Sequence, residues 1–165
     1  MKARLGRADF HKLVPEVRAA LGPLNQSAID AGGLEKSLIE LVKIRASQIN
    51  GCAFCLDMHT REARALGERE QRLHVLAAWS ESPAFSERER AALAWTDALT
   101  RVADDHVPDP VYAQAKAQFS DRELAYLTAA VVAINAWNRV AVAFRFLPRD
   151  GVVGVICPQA AASVW

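Results

Sequence analysis

Two helix-start signals constrain this chain more than any other feature of it. Ser86-Glu-Arg-Glu89 and Ser120-Asp-Arg-Glu123 each place a hydroxyl three residues ahead of a carboxylate. In that spacing the hydroxyl caps the third backbone N–H of a helix and the carboxylate reaches back to the capping residue. After Ser86 come Ala91, Leu93, Ala94 and Leu99. After Ser120 come Leu124, Leu127, Val131, Ile134 and Ala141, spaced for one helix face. The second helix is the longest and is expected to reach about Phe146, before Pro148.

The rest of the sequence reads the same way. Glu35 to Asn50 has Leu38, Leu41, Val42 and Ile49 at helical spacing and stops at Asn50-Gly51. Cys52 to Leu66 is a second helix, closed by Gly67. Pro108 and Pro110 open a short helix to about Phe119. The first thirty residues hold another helix, with Gly22-Pro23 as a weak point. No segment alternates convincingly as a strand. Gly151 to Ile156 is β-like in composition, but one lone strand cannot bury itself. Residues 151–165 are therefore expected as an extended apolar tail, with Cys157 a passive thiol in it. The fold class is all-α, in one domain spanning 1–165. At 165 residues the chain is long enough to bury about 70% of its unfolded surface.

Charge excludes several functions. Twenty basic side chains face nineteen acidic ones, a net of +1, so no field exists to hold a nucleic-acid backbone. The longest uninterrupted apolar run, Ala129 to Ile134, is far short of a membrane span. Lys2, Arg4 and Arg7 precede no apolar segment of the secretory kind, which makes a cytoplasmic protein the expectation. Three cysteines, Cys52, Cys55 and Cys157, make no disulfide scaffold.

The chemistry sits between Glu40 and His59. Cys52 and Cys55 are three apart, Cys55 and His59 four apart, so all three share a helix face. Glu40 lies ten to eleven residues before the Asn50-Gly51 turn and His59 eight to nine after it. In an antiparallel hairpin they come level to about 3 Å along the axis. Two thiols, an imidazole and a carboxylate can thus line one cleft. A thiolate is the attacking species, and an unperturbed cysteine is mostly protonated at neutral pH. Cys52 at a helix N-terminus and Cys55 one turn from His59 are both candidates for activation. The first argument makes Cys52 the nucleophile and the second Cys55; spacing does not choose. Oxidised to a sulfenic acid, either sulfur finds the other one turn away, ready to close a disulfide.

Other readings of these residues are weaker. Zinc would have only Cys52, Cys55 and His59, with Cys157 or Glu40 needed as a fourth ligand. Leu56 stands where covalent haem attachment requires histidine. His11, His74 and His106 lack partners at useful spacing, the four tryptophans read as packing, and Asn135, Asn138 and Arg139 read as helix-end or intersubunit contacts.

The segment Glu40 to Gly67, with its C-x-x-C-x-x-x-H and a glutamate twelve residues upstream, resembles the alkyl hydroperoxidase D-like (AhpD-like) branch of the carboxymuconolactone decarboxylase family. The run Ile134-Asn-Ala-Trp-Asn-Arg139 resembles that branch as well. The resemblance implies an all-α, oligomeric protein, commonly a trimer or hexamer, with a helical hairpin carrying the cysteine pair. It implies an antioxidant thiol peroxidase needing no haem, flavin or metal. In it Cys55 attacks a hydroperoxide, Cys52 resolves, Glu40 and His59 relay the proton, and a dithiol partner reduces the disulfide. The best-studied members carry another histidine between the cysteines; here that position is Phe54, so the implied relay lacks that group. The family's decarboxylases lack the cysteine pair, which argues against that activity. Two alternatives use the same residues: a redox-responsive structural oligomer without turnover, and a general disulfide reductase.

Overall fold

A computed structural model describes residues 2–148, and all their regular structure is helical. The expected 151–165 tail and Cys157 lie outside the described residues. Helix α1 spans Arg7–Leu13 and α2 Pro15–Asp30. The redox hairpin is α3, Lys36–Ile49, and α4, Ala53–Ala65. Next come α5, Glu70–Val75, and a 3-10 segment, Leu76–Glu81. Then follow α6, Glu87–Thr100; α7, Val102–Asp105; α8, Asp109–Gln118; and α9, Asp121–Phe144.

Both capping boxes form in full. Glu89 N–H donates to Ser86 Oγ at 3.3 Å while Ser86 N–H donates to Glu89 Oε2 at 2.8 Å, and Ser120 with Glu123 repeats the pattern. α9 stops two residues short of the expected Phe146. Arg145 takes a left-handed φ of 53°, and Phe146 N–H turns back to the Ala141 carbonyl at 2.9 Å. The turn lets Phe146 bury its ring against Phe10 and Phe54, a gain that outweighs one more helical turn.

The expected single N-terminal helix is two, and the break is not at Gly22-Pro23. It falls at Val14, ahead of Pro15, because a residue before proline is forced out of the helical region; Val14 sits at φ −136°, ψ 66°. α2 continues through Pro23 and packs along α9. Helices α5 and α7 and the 3-10 segment were not expected. Each has at most six residues, too few for a periodic pattern to declare itself.

α3 is the centre of the bundle, packed by α4, α6 and α9. Every residue from Leu38 to Ser47 is buried, polar ones included. Arg45 is held by Asp97 of α6 through two 2.6 Å bonds and by the Ala77 carbonyl at 3.1 Å. That pairing is what a buried guanidinium requires. Glu40 and Lys43 are equally buried, for a reason that belongs to the site.

The expectation that no segment could span a membrane needs a correction. Among the described residues one helix, α9, is long and apolar enough by length and composition. Its hydropathy is spread over 24 residues and not collected in one run. Here it is a bundle helix, packed on α2, α3 and α6 and holding fully buried Asn138.

Candidate active site

The α3–α4 turn sets the geometry. Gly51 adopts φ 64°, a conformation costly for residues with a Cβ, and Cys52 N–H returns to the Ser47 carbonyl at 3.0 Å. Cys52 thereby becomes the N-cap of α4, and its Sγ accepts the Cys55 backbone N–H at 3.4 Å. Sulfur is doing the work that a serine or aspartate oxygen does at other helix starts. Cys52, Cys55 and His59 follow one face of α4, and all are buried. Across the hairpin, His59 Nδ1 lies 2.8 Å from Glu40 Oε2, as levels counted from the turn require.

Glu40 is the hub of a buried polar chain. Lys43 Nζ donates to its Oε1 at 2.8 Å, and His59 Nδ1 also reaches Glu62 Oε2 at 3.1 Å. With carboxylate oxygens as its only partners, Nδ1 must carry a hydrogen, which leaves Nε2 for chemistry. Burial alone would lower the His59 pKa, but the bonds to Glu40 and Glu62 outweigh it and raise the value. Burial pushes the Glu40 carboxyl up, yet His59 and Lys43 bring it net below the usual range. Both shifts favour the imidazolium–carboxylate form of the pair.

The dithiol divides its protons unequally. Cys52 accepts hydrogen bonds from the thiol and backbone N–H of Cys55, and its pKa falls to about 7 despite burial. Cys55, as the donor to Cys52 and itself buried, is pushed up. The resting charge thus sits on Cys52. Thiolate ultraviolet absorbance, followed against pH in a Cys157→Ser background, checks this. One equivalent is expected with its midpoint near 7, and none from Cys55 in the ordinary cysteine range. Cys52→Ser removes the early step.

Each sulfur lines a different cavity. Cys55 and His59 open on one of about 190 Å³, walled by Met58, Ile134, Trp137 and Phe146. Cys52 lines a second, of about 260 Å³, bounded by Gly51, Val142 and Leu147. Phe54 borders both.

The matching family model covers residues 15–98 and is described as the carboxymuconolactone decarboxylase family. The chain belongs to that family. Within the family it falls in the AhpD-like branch. It is 35% identical to the uncharacterized Bacillus subtilis protein YdfG over 83% of its own length and 92% of that protein's. It is 44% identical to a solved Agrobacterium tumefaciens protein of unknown function, named there as a candidate antioxidant defence protein AhpD. That match has a TM-score of 0.83 and covers 89% of this chain and 98% of the other. An alkyl hydroperoxide reductase AhpD from Rhodospirillum centenum is 34% identical, over 59% of this chain but only 50% of its own.

Four residues, Asn135, Asn138, Arg139 and His11, have places at or beside this AhpD-like site that their sequence spacing did not reveal. Asn138 is fully buried; its Nδ2 donates to Ser47 Oγ at 3.0 Å, its Oδ1 accepts from Asn50 at 2.9 Å, and its amide lowers the pKa of both cysteines. Asn135 accepts from Asn50 at 3.0 Å, and Arg139 donates back to Asn135. These asparagines therefore tie α9 to the redox turn; they are not helix-end groups. His11, read as ordinary, lines the Cys55 cavity with Trp137 beside it at 5.9 Å between ring centroids. Polar residues on an otherwise apolar helix were the signal for Asn138; His11 gave none.

Of the expected zinc ligands, the donors that lie together include His59 and Glu40 but not the cysteines. Glu40, His59 and Glu62 each offer an atom within 4.8 Å of the others, and neither sulfur belongs to the set. Lys43 already holds one Glu40 oxygen, and Nδ1 already serves both carboxylates. That arrangement suits proton relay better than a cation.

Proposed function

We propose that the chain is a cysteine-based peroxidase that reduces organic hydroperoxides through a Cys52–Cys55 disulfide. The observation that carries this is that Cys55 and His59 line one cavity, with His59 Nδ1 held 2.8 Å from Glu40 Oε2. Family membership and the AhpD relatives support it. In this reading a peroxide enters the cavity, and the Cys55 proton passes to the Cys52 thiolate. The Cys55 thiolate then attacks one peroxide oxygen, and the O–O bond breaks. The departing alkoxide takes a proton from His59 and leaves as an alcohol. Cys55 is now a sulfenic acid; Cys52 displaces its oxygen as water, and the disulfide closes. A dithiol partner, becoming a disulfide itself, returns two electrons and two protons, one to the cysteines and one to His59. No histidine between the cysteines takes part, since Phe54 stands there.

One observation favours the reverse order: the resting thiolate is Cys52, so Cys52 as attacker would need no proton shift. Self-association belongs to the same reading, supported by exposed Val132 and Val142 on α9. So does a reducing compartment such as the cytoplasm, which supplies dithiols.

The test is an intact-mass spectrum of reduced protein after brief exposure to one equivalent of cumene hydroperoxide. Rapid loss of two hydrogens, mapped to Cys52 and Cys55, is expected. Slow oxygen addition without a disulfide would instead favour a structural or sensing role. A far faster reaction with a model disulfide would favour a disulfide reductase.

A further inference from the structure

The cavity above Cys55 has one cationic side. Arg7 and His11 are one turn apart on α1, and Arg18 reaches it from α2. Neither arginine has an ion-pair partner among the described residues, whereas Arg45, Arg61, Arg64, Arg72 and Arg88 each hold a carboxylate. Arg7 lies over the Phe54 ring at 5.6 Å, and that ring also lines the cavity. His11 Nδ1 is buried without a hydrogen-bond partner. Burial, then the charges of Arg7 and Arg18, lower the His11 pKa, so it stands as a neutral donor or acceptor between them. No aspartate or glutamate is among the described residues lining this cavity. A low-dielectric wall with charge of one sign focuses its field on the interior.

From these residues we infer that the cavity recognises an organic hydroperoxide bearing a carboxylate, its anion held by Arg7 and Arg18 and its apolar body against Trp137 and Ile134. This rests on the peroxidase reading for the reaction, though not for the binding. Guanidinium groups grip carboxylates in paired bonds, and the orphaned His11 nitrogen gains a partner. At about 190 Å³ the cavity is small for a ligand site, which favours a single-ring or short body over a long acyl chain.

The matched probes are cumene hydroperoxide and its 4-carboxylate, which share the reacting bond and differ by one charge. Disulfide formation in a single turnover is expected to favour the carboxylate by about tenfold or more, the size of one charge-assisted hydrogen bond. In the Arg7→Gln/Arg18→Gln variant the ratio falls toward one; in Arg7→Lys/Arg18→Lys part of it survives. Equal rates in the unaltered protein, or a ratio unmoved in the glutamine variant, overturn the inference. Calorimetry with unreactive 4-isopropylbenzoate separates the two claims. Binding lost in the glutamine variant supports the anion site even if neither hydroperoxide reacts, an outcome that would defeat the peroxidase reading alone. No binding, or binding indifferent to the two arginines, defeats the anion site.

Discussion

Replacing Cys55 by serine is expected to end peroxide consumption, and replacing Cys52 to halt it after one event. The two variants fail differently because the sulfurs have different tasks. In Cys55→Ser the cavity shared with His59 holds no thiol, so peroxide there meets nothing nucleophilic. In Cys52→Ser the Cys55 sulfur is still in place, but a sulfenic acid formed on it has no resolving thiol one turn away. Cys52→Ser should therefore accumulate one sulfenic acid on Cys55, captured by a carbon nucleophile such as dimedone and located by peptide mass. Cys55→Ser should accumulate none. In Cys52→Ser the hydrogen bond and the charge of Cys52, both of which raise the Cys55 pKa, are gone, so that sulfur should ionise at lower pH than in the unaltered protein. A sulfenic acid on Cys52 in Cys55→Ser, formed at the unaltered protein's rate, would assign the attack to Cys52.

Glu40→Gln is expected to lower the peroxidase rate by about a hundredfold, at the lower end of what general acid–base catalysis contributes. The substitution keeps the shape and removes the charge that holds His59 as imidazolium. In the unaltered protein, activity should rise as the dithiol loses its first proton at about 7. It should fall again as His59 loses its proton, above its ordinary value because Glu40 and Glu62 raise it. Without the Glu40 charge, only Glu62 is left to oppose burial and the His59 pKa drops, so the falling limb moves to lower pH. His59 also stabilises the Cys52 thiolate, so the rising limb moves to higher pH. The bell narrows from both sides as it shrinks. A rate loss with both limbs unmoved would reduce Glu40 to a structural role. Melting temperatures measured alongside would show whether Lys43, left without its carboxylate, destabilises the fold.

The site was legible where its parts are local. Cys52, Cys55 and His59 share a face because they lie on one helix, and Glu40 comes level with them because a hairpin's register is counted from its turn. The capping boxes located α6 and α9 because each is complete within four residues. The break at Val14 was written in Pro15, while the helix runs on through Gly22-Pro23. Which helix breaker prevails depends on what each flanking segment packs against, and α2 is held by α9.

From sequence alone came an all-α chain and one helix face with two thiols and an imidazole, because helical periodicity and hairpin register are short-range geometry. Only the tertiary structure brought Asn138 against the sulfurs and α1 over the thiol, so that Arg7 and His11 share a cavity with a residue more than forty positions away. It alone decided where the protons rest. The Cys52 charge depends on a helix N-terminus, a neighbouring thiol and an amide from α9. The His59 charge depends on two carboxylates acting against burial. Those balances are sums over groups that only folding brings together, and a linear spacing cannot carry them.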